Sequence, residues 1–187
     1  MRLLALTIFG IMFFSILAGA ENDLQDDNQM IIYDFNSAEQ SKGWRVINDG
    51  VMGGLSSSTA EISDSGTLVF TGNVSLKNNG GFASVRGAGK IYDFGNHEGI
   101  RLRIKGDGKR YAFTLNSSKS FGSPGHKSSF DTENGTWNEI ELPLDTFKPV
   151  LRWSGQLRMD YITSVGFLIS DEQEGSFRLE VDWIEVY

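Results

Sequence analysis

The stretch Gly99-Ile100-Arg101-Leu102-Arg103-Ile104-Lys105 decides the fold class. Ile100, Leu102 and Ile104 alternate with Arg101, Arg103 and Lys105, the period of two that lets a strand bury one face. Gly106-Asp107-Gly108 turns the chain, and Tyr111, Phe113 and Leu115 alternate again. The spacing predicts two strands paired as a β-hairpin across a short Gly-Asp-Gly loop.

The same signals recur on both sides. Trp137 to Leu144 alternates through Ile140, Leu142 and Leu144, and Pro143 places that strand at a sheet edge or puts the proline at a strand end. Ile162 to Ile169 is an unbroken apolar run suited to a strand buried on both faces. Phe177, Leu179 and Val181 alternate with charged residues until the phase slips near Trp183-Ile184, where a bulge is expected. Met30 to Phe35, Thr67 to Phe70 and Phe82 to Val85 are shorter strand-like runs. Ser37 to Lys42 reads as one helical turn capped by Asn36. Ser117 to Lys127, with Pro124, reads as an exposed loop, and Phe147 to Tyr161 is irregular. Nine or ten strands are expected, with no sustained 3.6-residue apolar stripe, so the chain reads as an all-β, two-sheet sandwich over residues 30–187. Trp44, Trp137 and Trp183 sit in or beside strand-like runs and are expected in the core.

Two double-glycine turns mark the segment from Trp44 to Arg86: Asp49-Gly50-Val51-Met52-Gly53-Gly54 and Asn79-Gly80-Gly81. Glycine admits positive φ and close backbone approach, so Gly50, Gly53, Gly54, Gly80 and Gly81 read as structural turn positions.

The N-terminus is a separate feature. Met1-Arg2, the apolar run Leu3 to Leu17, and Ala18-Gly19-Ala20 before Glu21-Asn22-Asp23 form the pattern of a secretory signal peptide. Cleavage is expected after Ala20, giving a periplasmic or secreted protein; the alternative is an uncleaved membrane anchor. Residues 21–29 are an acidic, flexible lead-in. Removing residues 1–20 takes one Arg and no acid, leaving 16 basic against 24 acidic residues and a net charge of −8. Such a domain is a poor ligand for nucleic acid or anionic membranes. No Cys is present, so disulfides, thiol catalysis and thiolate metal sites are excluded.

With those motifs in place, the chain resembles the complex I intermediate-associated protein 30 family. The resemblance is carried by Asp49-Gly50-Val51-Met52-Gly53-Gly54-x-Ser56, Phe70-x-Gly72, Asn79-Gly80-Gly81-Phe82-Ala83-Ser84-Val85-Arg86, Gly106-Asp107-Gly108-x-x-Tyr111, and Trp137 with Pro143 and Phe147. Gly166-Phe167-Leu168-Ile169-Ser170-Asp171, Gly175-x-Phe177 and Asp182-Trp183-Ile184 close the pattern. The resemblance implies a jelly-roll sandwich of the galactose-binding-domain type and a link to assembly of respiratory or photosynthetic membrane complexes. Combined with the leader, it implies a bacterial, exported member whose partner is an envelope protein or a glycan.

Asp49, Asn79, Arg86, Asp107, Tyr111 and Trp153 are the candidate binding residues. Asp49 offers a carboxylate to a ligand, or closes an Asx-turn. Asn79 and Arg86 suit a polar pocket, where Arg recognises a carboxylate or a hydroxyl pair; an internal ion pair is the alternative for Arg86. Asp107 and Tyr111 carry the same choice. Trp153, in an irregular loop, offers a ring to stack on a sugar or anchor a partner, or else packs on the sandwich. His97 and His126 stand alone without ligand spacing. No EF-hand loop is present, so a structural calcium would need scattered loop oxygens. No catalytic constellation emerges and no cofactor is expected. A hydrolase would need Asp49 or Asp107 about 5–10 Å from a second carboxylate.

Overall fold

The computed structural model describes residues 29–37, 40, 42–120 and 122–187. The expected leader, all of the lead-in but Gln29, and half of the expected turn at 37–42 lie outside them. Within that turn Ser37 Oγ accepts the Gln40 N–H at 3.2 Å. Among the described residues no helix is long and apolar enough to cross a membrane.

Among the described residues twelve strands follow in order: β1 Met30–Tyr33, β2 Trp44–Asn48, β3 Ser57–Ile62, β4 Leu68–Val74, β5 Ala83–Tyr92 and β6 Gly99–Lys105. Then come β7 Arg110–Asn116, β8 His126–Asp131, β9 Trp137–Pro143, β10 Lys148–Pro149, β11 Ile162–Ile169 and β12 Gly175–Val186. They form two six-stranded sheets. The first runs β3-β4-β12-β6-β9, with β1 joined to β12; the second runs β10-β8-β7-β11-β5-β2. All strand pairs are antiparallel. This is the jelly-roll type of sandwich.

The expected alternation holds along β6, where Ile100, Leu102 and Ile104 are fully buried. β11 lies between β7 and β5 and is buried on both faces, as its unbroken apolar run predicts. β9 is an edge strand ending at Pro143. The register of β12 against β6 shifts between Val181 and Trp183, at the predicted phase slip.

The hairpin expectation fails. β6 pairs with β12 and β9, whereas β7 pairs with β8 and β11 in the other sheet. Gly106-Asp107-Gly108 therefore carries the chain between layers. Alternation reports that one face is buried, and both sheets bury a face against the same core. The expected central place of Trp137 also fails. Its ring lies on the outer face of the first sheet, 5.4 Å from the Arg103 guanidinium and 5.0 Å from Lys105 Nζ. Trp183 is half-buried beside the register shift. Trp44 does pack on the core, with its ring centroid 6.5 Å from that of Phe167.

The core fills the space between the sheets. Phe35, Phe70, Phe94, Phe113 and Phe167 are fully buried there, each contributing about 1.5–3 kcal/mol by burial.

Candidate functional site

The six candidate residues fall into three groups. Asp49 opens a 3-10 turn, Asp49–Met52, and has no exposed surface. One carboxylate oxygen accepts the Ser56 N–H at 2.9 Å; the other accepts the Gly81 N–H at 2.7 Å, the Phe82 N–H at 3.2 Å and the Ser56 hydroxyl. This is a long-range clasp between two loops, not the Asx-turn expected as its structural alternative. Burial pushes the Asp49 carboxyl pKa up, but the Ser56 hydroxyl and the three N–H groups outweigh it and hold it below its ordinary value.

The glycines serve this clasp in two ways. A Cβ on Gly54 would sit 2.3 Å from the Asp49 carboxyl, and one on Gly80 would sit 2.7 Å from Oδ2. Gly53 and Gly81 instead hold positive φ, 89° and 132°. Gly50 has neither constraint. Asn79 is exposed at the same end of the sandwich, with φ 57°.

The clasp has a consequence that the sequence reading missed. It pins a tip whose apolar side chains face water: Val51 is 74% exposed, Met52 65% and Leu55 56%. Leu76, also exposed, stands at the other loop of the clasp, its Cδ2 3.2 Å from where a Gly81 Cβ would be. The signal was present as three large apolar residues spaced among turn glycines.

Asp107 and Tyr111 form the second group. The buried Tyr111 hydroxyl donates to Asp107 Oδ1 at 3.0 Å, the same oxygen accepts the Lys109 N–H at 3.2 Å, and Oδ2 accepts the Arg178 N–H at 2.9 Å. Burial, then the neighbouring Asp107 charge, raises the Tyr111 pKa. These contacts tie the β6–β7 crossing to β12.

Arg86 and Trp153 belong to the third group, on and beside the outer face of the second sheet. Arg86 Nη1 donates to the Ser123 carbonyl at 2.7 Å, and Asn116 Nδ2 donates to the same oxygen at 2.7 Å. Ser123 and its loop neighbours Gly122 and Pro124 are thereby drawn over the sheet. Between this loop and residues 154–156 opens a cleft of about 320 Å³, lined by Asn116, Ser117, Ser118, Ser123, His126 and Gln156 among others. Burial holds the His126 imidazole pKa below its ordinary value, so it lines the cleft as a neutral ring at pH 7. Trp153 precedes the lining residues Ser154 and Gly155 and is 76% exposed, rather than packed on the sandwich. Among the described residues no group of three or more His, Asp or Glu side chains is placed to hold a metal ion.

The fold and these surfaces define a class: an all-β jelly-roll domain with a braced apolar tip at one end and a polar cleft toward the other. The family model described as Complex I intermediate-associated protein 30 (CIA30) matches residues 33–181, and the chain belongs to that family. It is 28% identical over 185 residues to the probable mitochondrial complex I intermediate-associated protein 30 of Caenorhabditis elegans, covering 83% of this chain and 53% of that protein. The Mus musculus protein of that name is 25% identical over 182 residues, covering 84% of this chain and 56% of its own length. The chain thus spans about half the length of these relatives. Among solved structures, the family 11 carbohydrate-binding module of a Clostridium thermocellum cellulase has the same fold, with a TM-score of 0.63 at 19% identity, covering 84% of this chain and 93% of that one. A second structure of that module, in complex with a β-1,3-1,4-mixed-linked tetrasaccharide, gives a TM-score of 0.61 at 19% identity over 84% and 94% of the two chains.

Proposed function

We propose that this domain is a non-catalytic, assembly-factor-type module that grips a protein partner through the apolar tip of Val51, Met52, Leu55 and Leu76. The observation that carries this reading is the fully buried Asp49 clasp beneath that tip. A loop needed only to connect two strands has no use for a rigid, water-facing apolar surface; a partner-binding surface does. Family membership supports a role in assembling other proteins. Both oxygens of Asp49 and of Asp107 are occupied by backbone and hydroxyl donors, which suits scaffold better than general acid–base work. The leader-like N-terminus supports placing the partner in the cell envelope. A photo-reactive residue at position 52 should give a discrete crosslinked adduct in envelope extract. Val51→Ser should abolish the adduct with Tm unchanged; no adduct, or one insensitive to Val51→Ser, overturns the reading.

A second reading, glycan binding, is favoured by the exposed Trp153 ring beside the polar cleft. Quenching or a shift of Trp fluorescence on adding oligosaccharides, lost in Trp153→Ala, tests it.

A further inference from the structure

Several polar groups that line the cleft are spent on holding its walls. The Asn116 side-chain amide donates to the Ser123 carbonyl at 2.7 Å, and its oxygen accepts the Ser118 N–H at 2.7 Å. The Ser117 hydroxyl joins the two walls: it donates to the Gln156 carbonyl at 3.3 Å and accepts the Arg158 N–H at 3.1 Å. The Ser154 hydroxyl accepts the Leu151 N–H at 3.0 Å, and the Val150 N–H donates to the Gly125 carbonyl at 3.0 Å. The His126 imidazole and the Gln156 side-chain amide are not used in this way. Among the described residues neither side chain has a hydrogen-bond partner.

Gln156 is exposed, so water serves it. His126 is only 8% exposed. It opens β8, where its cross-strand neighbours are Leu115 of β7 and Pro149 of β10, and neither offers a polar side chain. A buried polar group left without a partner costs about 1–3 kcal/mol. The cleft is where this ring can find one. As a neutral imidazole it carries one donor and one acceptor. Among the described residues no charged side chain lines the cleft. Its volume of about 320 Å³ lies at the low end of small-molecule sites, which span about 300–1,000 Å³. Trp153, 76% exposed, directly precedes the lining residues Ser154 and Gly155.

We infer that the cleft takes a short, uncharged saccharide: one ring enters beside His126, which reads a hydroxyl, and the next stacks on Trp153. A sugar hydroxyl both donates and accepts, so it satisfies the imidazole in either tautomer. The exposed Gln156 amide adds a donor and an acceptor at the opposite wall. Acidic sugars, amino acids and nucleotides fit less well. A carboxylate, ammonium or phosphate would lose water here without meeting an opposite charge. The inference rests on the second reading above and narrows it, from any glycan against Trp153 to a short neutral one held by a buried histidine.

Calorimetric titration of the protein with cello-, xylo-, manno- and galacto-oligosaccharides of one to six units, and with trigalacturonate, tests it. At least one neutral series should bind, with affinity rising to two units and level beyond, and trigalacturonate should not. His126→Phe keeps a buried ring but removes both nitrogens, and should weaken that binding about tenfold. Should this variant fail to fold, the nitrogen-15 shifts of the His126 ring in the unaltered protein decide the matter, since they should move when the saccharide is added. Saccharide binding that ignores His126→Phe, leaves the ring shifts unmoved, or keeps tightening through six units keeps the glycan reading and overturns this inference. Trigalacturonate binding as tightly as the neutral sugars also overturns it. Binding of no saccharide overturns both.

Discussion

At the scale of single residues, Asp49 governs the architecture of the site. Its carboxylate satisfies the Ser56 N–H and hydroxyl, 7 residues on, and the Gly81 and Phe82 N–H groups, 32 and 33 residues on. Asp49→Ala would leave the Ser56, Gly81 and Phe82 N–H groups without this acceptor, so a loss of about 3–5 kcal/mol is expected in urea unfolding. The sign with pH follows from the depressed carboxyl pKa. Its contribution is fully present above the unfolded value of about 4 and is lost as pH falls through the lower folded value. Asp49→Asn should flatten that part of the acid limb in a stability-versus-pH series. The neighbouring glycines give a sharper contrast. Gly54→Ala forces a Cβ into the Asp49 carboxyl and should lower Tm by several degrees. Gly50→Ala meets nothing within 4 Å and has no positive φ, so it should be neutral or stabilising by up to about 1 kcal/mol. Equal losses from the two would refute the clasp. Both turns were legible in the sequence as glycine-marked loops, but the clasp between them was not. It joins residues more than thirty positions apart, and no local pattern carries that distance.

At the scale of elements, strands were read well and their partners poorly. β6, β9, β11 and the slip in β12 follow from periodicity, because burial of one face or two is written into side-chain type. The assignment of β6 and β7 to different sheets is not, since either sheet accepts the same alternation. What settles it is a set of contacts at the crossing: Asp107 with Tyr111, Lys109 and Arg178, and the Gly106–Asn134 bridge. Asp107→Ala should therefore cost about 2–3 kcal/mol, far more than loss of an exposed turn residue. Differential hydrogen exchange should show faster exchange at both the β6–β7 crossing and the start of β12. A change confined to the crossing would mean that Asp107 closes only its own turn. The misplacement of Trp137 has a similar origin. A large ring in a strand signals a covered surface, and Arg103 and Lys105 cover it in part from outside. The candidate site was half legible. Arg86 and Trp153 stand out as lone polar and aromatic residues, whereas Asn116, Ser123 and Gln156 acquire meaning as one cleft only when segments remote in sequence lie side by side.

At the scale of the whole molecule, the order of strands matters more than any one contact. The first sheet takes β1, β3, β4, β6, β9 and β12, and the second takes β2, β5, β7, β8, β10 and β11. The chain changes layer repeatedly, so no continuous half of it can build either sheet. β12 shows why the assembly must close together: Gly175–Val181 pairs with β4, then β1 takes that side near Val186, while β6 holds the other. β12 is thus the axis of a sheet whose other members lie as far back as residue 30. Unfolding should therefore be a single cooperative transition. Folding should be slow, in the millisecond-to-second range of β-sandwiches, because distant segments must meet before burial rewards them. The tryptophans allow a direct check, since Trp44 reports the second sheet and Trp137 the first. Variants keeping only one of these two indoles should give urea midpoints that coincide with each other and with far-UV circular dichroism. Separate midpoints would mean that one sheet survives without the other. In that case the polar cleft beside the second sheet would owe its shape to that layer alone, and removing β12 would leave the cleft intact rather than dissolve it.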